Sequence, residues 1–231
     1  MWNYYGSKAS VVRFYPKPLH NKIIEPFAGA AKYSLSHFEN DVTLVDKYQV
    51  VIDVWHYLQA ASEKDILGLP HLKRGDSLNN YPLLSDIEKL FLGFLVCNGL
   101  PTPRVNVGSF EGVDVLRDLK KIASNLFKIR HWKIVCDTYE NIPNEQATWF
   151  IDPPYMYGGQ HYKESNKNIN FQNLATWCKS RDGQVMVCEN TKADWLPFAP
   201  VAKMNGQIHT TTEAIWCNYK TQFDNKQIQL F

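Results

Sequence analysis

Two short apolar runs, each followed by a segment of helical periodicity, constrain the fold of this chain more than any other feature. The runs Lys22–Phe27 and Val42–Asp46 have the length and the apolar, partly β-branched composition of buried strands. Helices are expected from about Ala30 to Phe38 and from Tyr48 to Ala61, where apolar residues recur at helical spacing. This order of strand, helix, strand and helix predicts a parallel sheet covered by helices.

The remaining sequence continues this pattern after one interruption. Residues 64–112 are rich in turn residues and contain one expected helix, Ser85–Val96, which begins with a capping box. Beyond it, the patterns predict the helices Val113–Ile129 and Phe171–Ser180, the strands Trp132–Cys136, Thr148–Ile151 and Gln184–Cys188, and an antiparallel hairpin within residues 201–219. We therefore expect an α/β main domain from residues 1–63 and 113–222, an inserted segment at 64–112 and a tail at 223–231.

Composition excludes several classes of protein. Of the 231 residues, 45% are hydrophobic and 21% are charged, which provides a core and argues against disorder. The five cysteines are scattered without CxxC spacing, so we expect no disulfide scaffold, zinc site or other metal site. No apolar run is long enough to span a bilayer and the first residues lack a signal-peptide core, so a cytoplasmic protein without a membrane partner is expected.

The sequence Asp152-Pro153-Pro154-Tyr155 follows the expected strand Thr148–Ile151, where ligands bind in an open parallel sheet. Two prolines fix the turn, which then presents a carboxylate, carbonyl acceptors and an aromatic ring. The Asp152 carboxylate and the Pro153 carbonyl can accept hydrogen bonds from an aromatic amine and stabilise the positive charge of its alkylation. This pattern indicates chemistry on a flat amine that stacks on Tyr155.

A second site is indicated by Glu25–Ala31, at the first strand-to-helix turn, and by Asp46 at the end of the next strand. Gly29 allows the backbone to approach a cofactor closely, and a carboxylate at Asp46 can accept from both hydroxyls of a ribose. The complete GxGxxG signature of dinucleotide sites is absent. A nucleoside cofactor without a pyrophosphate fits this pattern better.

Taken in order, these motifs resemble those of the Dam-like DNA adenine methyltransferases, which use S-adenosylmethionine. The N-terminal motif of that family resembles Tyr4–Lys8, and its recognition segment resembles Asn98-Gly99-Leu100 followed by Arg104–Phe110. The resemblance runs from Tyr4 to about Tyr219. It implies a Rossmann-like methyltransferase fold and transfer of a methyl group to the exocyclic amine of adenine in duplex DNA.

The resemblance also implies roles for individual residues. Asp152, Pro153, Pro154 and Tyr155 would be catalytic, and the cofactor would be bound by Tyr4, Tyr5, Lys8, Phe27, Gly29, Asp46 and Asp137. Two departures concern this pocket: Ala31 replaces the usual second glycine, at a small steric cost, and the aromatic residue next to Asp137 corresponds to Tyr139, displaced by one position. Arg104–Gly108 is one residue shorter than the commonest spacing, which leaves sequence selectivity open.

Access to a stacked adenine requires that the base flip into the pocket. The residues expected to contact DNA are Arg104, Asn106, Lys73, Arg74, Tyr162 and Lys163, with Lys167 as a further candidate for phosphate contact. The polar stretch Tyr157–Asn170 contains two adjacent glycines and is expected to form a mobile loop over the site.

Alternative functions differ in the features they require. A carbon-5 cytosine methyltransferase needs a Pro-Cys nucleophile, and none of the 12 prolines precedes a cysteine. Methylation of a cytosine amine, of RNA or of a protein amine remains open, as does a non-catalytic protein that binds DNA through a cofactor fold.

The C-terminal peptide Gln227–Phe231 resembles the motif by which bacterial replication and repair proteins bind the sliding clamp, with Gln227, Leu230 and Phe231 as the contacts. The alternative is a last strand that buries Ile228, Leu230 and Phe231 in the enzyme itself.

Overall fold

The computed structural model describes residues 1–2, 4, 6–97, 100–108, 114–205 and 210–219. Within these ranges the protein forms a seven-stranded sheet in the spatial order β3-β2-β1-β4-β5-β7-β6. The strands are β1 (Lys22–Glu25), β2 (Asp41–Asp46), β3 (Lys133–Cys136), β4 (Ala147–Ile151), β5 (Gly183–Asn190), β6 (Ala199–Asn205) and β7 (Thr210–Cys217).

The sheet is mostly parallel, which confirms the expected α/β class. Strands β1 to β5 run parallel to their neighbours, whereas β7 is inserted antiparallel between β5 and β6 and forms the expected hairpin with β6. The chain moves from β1 towards β3 on one side and from β4 towards β6 on the other. Because ligands bind where strand order reverses, the carboxyl ends of β1 and β4 are the expected position of a site.

Six α-helices are described: α1 (Lys32–Ser36), α2 (Gln49–Ala60), α3 (Glu63–Leu67), α4 (Asp86–Val96), α5 (Val115–Ala123) and α6 (Phe171–Lys179). Every residue of β4 is buried, as expected for a central strand with both faces covered. In the part of the chain that the structure describes, every helix falls short of the length and apolarity needed to cross a bilayer.

Several predicted element boundaries are wrong. The first helix does not extend from Ala30 to Phe38, because Ala31 adopts the left-handed conformation (φ 44°) and the helix begins after it. The helix predicted at Val113–Ile129 ends at Ala123, and a 3-10 turn follows at Leu126–Ile129. The Asn125 side chain donates to the Lys121 carbonyl at 2.7 Å, which satisfies a helix-end acceptor and competes with continuation of the helix.

Helix α3 was not predicted, although its sequence carries a recognisable start. Ser62 and Asp65 form a reciprocal capping box, in which the Ser62 hydroxyl accepts from the Asp65 N–H. The predicted insertion therefore contains more than the one helix α4. Its apolar residues, among them Phe91 and Phe94, belong to the same continuous core as Ile23 and Leu44 of the sheet.

Candidate active site

A cavity of about 400 Å³ lies at the carboxyl ends of β1, β2 and β4. Residues predicted to bind a cofactor or a base converge on it, namely Tyr4, Lys8, Phe27, Gly29, Asp46, Asp137, Asp152, Pro154 and Tyr162. Those that follow β1, β2, β3 and β4 meet because the carboxyl ends of parallel strands share one edge of the sheet. Tyr4 and Lys8 come from the segment before β1, and Tyr162 comes from the segment between β4 and α6. Pro153 is buried and Tyr155 is half-buried, and both lie outside the cavity lining.

Asp46 is fixed to the glycine turn by the main chain. Its Oδ2 accepts a hydrogen bond from the Gly29 N–H at 2.9 Å, and its Oδ1 accepts from the Tyr48 N–H at 2.9 Å. Burial raises the pKa of Asp46 to about 6, although these N–H donors oppose the rise. Each carboxylate oxygen has a second lone pair, so Asp46 can still accept from a ligand in the cavity.

The backbone conformation and the surroundings at position 29 require a glycine. Its φ of 44° is in the left-handed region, and a Cβ there would lie 3.1 Å from the ring of Tyr4. The Gly29 carbonyl accepts a hydrogen bond from the indole N–H of Trp55 on α2 at 2.9 Å, which fixes the turn to that helix. The turn is therefore rigid, and its backbone forms part of the cavity wall.

An apolar wall lies on the β3 side of the cavity. The rings of Phe27 and Tyr139 lie 5.5 Å apart, and both line the cavity. Asp137 Oδ1 accepts from the Thr138 N–H at 2.7 Å and from the Asn141 amide at 2.8 Å, so its position is set by its own loop. This wall thus combines an apolar face with an adjacent carboxylate.

The opposite wall holds a buried cluster of charges. The Lys8 Nζ lies 2.7 Å from Asp152 Oδ1 and 4.0 Å from Glu213 Oε1, and it lies 4.7 Å from the centre of the Tyr155 ring. The Tyr155 hydroxyl donates to Glu213 Oε1 at 2.7 Å, and the Tyr15 hydroxyl donates to the same oxygen at 2.5 Å. One ammonium group is thus shared unequally by two carboxylates, with both tyrosine hydroxyls fixed on the more distant one.

Burial and charge act in opposite directions within this cluster. Burial raises the pKa of Asp152 to about 6, since it outweighs the attraction of the Lys8 ammonium, and the charge of Glu213 raises it further. Burial alone would lower the pKa of Lys8, but the carboxylates of Asp152 and Glu213 outweigh burial and hold that pKa above its ordinary value. Lys8 is therefore a buried, protonated cation at neutral pH.

The turn after Tyr155 is held by side chains that the sequence analysis did not single out. Glu189, at the end of β5, accepts from the Met156 N–H at 2.8 Å, and the amide of Asn166 donates to the Met156 carbonyl at 2.8 Å. The amide of Asn190 donates to the Tyr157 carbonyl at 2.8 Å. These bonds fix the backbone that directly follows the double-proline turn of Asp152.

Residues 157–170, predicted as a loop over the site, contain 3-10 turns at Gly159–His161 and Asn166–Asn168. Tyr162 from this segment lines the cavity, and its ring lies 6.3 Å from that of Tyr4. A Cβ on Gly6 would lie 2.0 Å from the Tyr162 hydroxyl, so the glycine of the N-terminal motif makes room for this tyrosine. The segment therefore does cover one side of the cavity.

Apart from Tyr162, the predicted DNA-contacting residues lie outside the cavity lining. The main chain pairs residues 75–78 with residues 105–107, through the Leu78 N–H to Val105 carbonyl bond at 2.8 Å and the Val107 N–H to Asp76 carbonyl bond at 2.9 Å. This pairing brings exposed Lys73 and Arg74 close to the segment that carries Arg104 and Asn106. Lys163 and Lys167 are exposed on the 157–170 segment.

A glycine in α4 sets the position of the Arg104 segment. The Arg104 N–H donates to the Gly93 carbonyl at 3.1 Å, and a Cβ on Gly93 would lie 2.6 Å from the Arg104 carbonyl oxygen. Close backbone approach at this point thus requires glycine.

Some predicted residues lie outside the described part of the chain. They are Tyr5, Asn98, Gly99, Ser109 and Phe110 of the motifs, and Gln227, Ile228, Leu230 and Phe231 of the tail. Their roles, including clamp binding by the tail, stay predictions.

Comparison of the sequence with protein-family models and with curated proteins gives no match. The assignment of a function therefore depends on the site itself.

Proposed function

We propose that the protein is a DNA adenine methyltransferase that uses S-adenosylmethionine. The observation that carries this proposal is the convergence of two motifs on one cavity: Asp152 in its double-proline turn, and Asp46 bonded to the Gly29 turn. The first is suited to an aromatic amine and the second to a ribose. A single cavity that receives both is suited to group transfer between a nucleoside cofactor and a base.

The cofactor half of the cavity fits S-adenosylmethionine. Asp46 has unused acceptor capacity for the ribose hydroxyls, and the adenine ring would pack against the apolar wall formed by Phe27 and Tyr139. Asp137 and Tyr4 line the same space. When bound, this cofactor supplies a methyl group activated by a sulfonium centre.

The base half of the cavity fits an exocyclic amine. The Asp152 carboxylate and the Pro153 carbonyl would accept the two N–H groups, which aligns the nitrogen lone pair with the methyl group. Because Asp152 is held by a rigid turn in a buried site, it can stabilise the positive charge that develops on nitrogen without reorganisation. The ring of Tyr155 would stack on the base.

The target base must leave the duplex to reach Asp152, since the amine is otherwise stacked and paired. The exposed cations Lys73 and Arg74, next to the Arg104 segment, would contact the phosphates around the flipped nucleotide. Tyr162 lines the cavity and would lie beside the incoming base.

The test is methyl transfer from labelled S-adenosylmethionine to duplex DNA, single-stranded DNA and RNA, with the product identified by mass spectrometry and by sequencing of modified bases. We expect N6-methyladenine in duplex DNA. Asp152→Asn should lower kcat by about 100-fold or more while cofactor affinity is unchanged, because its partner is the base.

A matched control is Asp194→Asn, which changes an exposed carboxylate outside the cavity lining and should leave turnover unchanged. Methyl transfer to cytosine alone, or to RNA alone, would show that this is the substrate and that adenine in DNA is not. Near-normal turnover by Asp152→Asn would exclude the proposed mechanism.

A further inference from the structure

The Lys8 ammonium lies where the proposed substrate must bind. It is 2.7 Å from the carboxylate that would accept the amine, and it lies over the face of the Tyr155 ring on which the base would stack. A base stacked on this face of Tyr155 would occupy the position of the ammonium, whose Nζ lies 4.7 Å from the ring centre. Base binding therefore requires that Lys8 move.

Displacement of a buried cation is costly unless a second partner is within reach. Lys8 is 5% exposed and its Nζ donates to the Gly6 carbonyl at 3.1 Å, but a buried ammonium without a carboxylate partner is strongly disfavoured. Glu213 Oε1 lies 4.0 Å from the Lys8 Nζ, so a shift of about 1 Å would bring the two groups into charge-assisted hydrogen-bond contact. Glu213 is 2% exposed and its Oε1 is fixed by the hydroxyls of Tyr15 and Tyr155.

We propose that Glu213 is a positioning residue that receives the Lys8 ammonium when the target amine takes its place on Asp152. This inference rests on the proposed function. Glu213 does not touch the substrate in this scheme. It lowers the free energy needed to move the Lys8 ammonium away from Asp152. Through the Tyr155 hydroxyl it also holds the ring on which the base stacks.

The charged and titratable groups around Asp152 make the scheme testable by pH. Lys8 faces it from the N-terminal segment, Glu213 from β7, Glu25 from β1, and Cys188 and Glu189 from β5, with the hydroxyls of Tyr155 and Tyr15 nearby. Glu213 is a negative charge that raises the pKa of Asp152. Its neutralisation should therefore lower that pKa.

The first experiment is Glu213→Gln, which is isosteric and leaves an oxygen to accept from both tyrosines. Without the second carboxylate Lys8 remains on Asp152, so kcat should fall about tenfold, the size expected for loss of one charge-assisted hydrogen bond, while cofactor affinity stays unchanged. The acid limb of the kcat profile should move to lower pH. The shift of this limb follows from the lost charge of Glu213 alone. The fall of kcat at the pH optimum, together with the position of Lys8 in the second experiment, therefore distinguishes the positioning role.

Tyr15→Phe is the matched control, because it removes one hydrogen bond to Glu213 and keeps every charge. The acid limb of the kcat–pH profile of Tyr15→Phe should coincide with that of the wild type. An active wild type together with an unchanged kcat at the pH optimum in Glu213→Gln would overturn the inference and leave the proposed function intact.

The second experiment uses the wild-type protein and decides the question if Glu213→Gln fails to fold. A crystal structure with S-adenosylhomocysteine and duplex DNA containing the methylated site should show the Lys8 Nζ within about 3 Å of Glu213. Lys8 still on Asp152, or turned out to solvent, would overturn the inference. A wild type that transfers no methyl group to DNA would instead show that the proposed function has failed, and this inference with it.

Discussion

The Nζ of Lys8 lies 2.7 Å from the Oδ1 of Asp152, and this ion pair forms one wall of the cavity. It joins the N-terminal segment of the chain to the end of β4. Burial nevertheless keeps the pKa of Asp152 at about 6, above that of an ordinary aspartate. The protonation of Asp152 should therefore change within a pH range in which activity can be measured.

Methyl transfer should decline as the pH falls through about 6, because a protonated Asp152 cannot stabilise positive charge on the amine. The measurement is kcat against pH at saturating cofactor, which removes the contribution of Asp46 to binding. Circular dichroism at each pH would show that the protein stays folded. A flat profile down to pH 5 would contradict the assignment of Asp152.

Asp46→Asn should weaken cofactor affinity about tenfold or more and leave DNA affinity largely unchanged. The amide keeps one oxygen for a main-chain N–H but removes the charge that strengthens bonds to the ribose hydroxyls, each worth about 1.5–3 kcal/mol. Isothermal titration calorimetry with S-adenosylhomocysteine measures the effect. Equal affinity in the two proteins would exclude Asp46 as the ribose ligand.

Gly29→Ala should lower the free energy of unfolding by about 1–2 kcal/mol and weaken cofactor binding, because the left-handed backbone and the Tyr4 ring both oppose a Cβ. Gly75→Ala is the matched control, since Gly75 also has a positive φ (89°) but no atom lies within 4 Å of its added Cβ. Urea unfolding should show a loss of stability in both variants. Only Gly29→Ala should bind the cofactor less tightly.

Gly93→Ala should resemble Arg104→Ala in DNA binding, because the added Cβ would displace the Arg104 backbone. Both variants should bind DNA more weakly while cofactor affinity is unchanged. If Arg104 contacts phosphate, the affinity for all DNA sequences should fall alike and its dependence on salt should become shallower. If Arg104 contacts a base, discrimination at one position of the target should fall by about 1–3 kcal/mol. Unchanged DNA affinity in both variants would remove Arg104 from the interface.

The stability of the protein should fall as the pH rises from about 4.5 to 8. Burial raises the pKa of Glu25 to about 8, although hydrogen bonds from Ser34 oppose the rise, so the folded state retains a proton that the unfolded state releases. Glu25→Gln should therefore flatten this pH dependence and raise the free energy of unfolding at pH 8 by on the order of 1–3 kcal/mol. Urea unfolding at pH 5 and pH 8 measures both effects, and an unchanged slope would contradict a protonated Glu25.

The sheet and one side of the cavity could be predicted because local sequence determines them. Short apolar runs mark β1, β2 and β4, and the carboxyl ends of parallel strands bring Gly29, Asp46 and Asp152 together without knowledge of any side-chain contact. The shorter α1 has an equally local cause in the left-handed Ala31, but conformation at a single residue is not visible in periodicity.

The charged wall of the cavity could not be predicted in the same way. Glu213 lies on β7 and meets Tyr15, Lys8 and Tyr155 only after the hairpin is inserted beside β5. The one signal in the sequence is a carboxylate next to the apolar run Ala214–Trp216, which indicates a charge at the border of a buried strand but not its partner. The pairing of residues 75–78 with 105–107 is likewise a contact across a long loop.

Because of that pairing, the backbone arrangement of residues 75–78 and 105–107 does not depend on which side chains the neighbouring exposed positions carry. Main-chain groups make the bonds between the two segments, so the exposed side chains at Lys73, Arg74 and Asn106 can be exchanged without loss of the backbone arrangement. None of these side chains lines the cavity in which Asp46 and Asp152 lie. Substitutions at these positions can therefore accumulate during evolution, or be introduced in libraries, while the cavity that contains Asp46 and Asp152 keeps its shape.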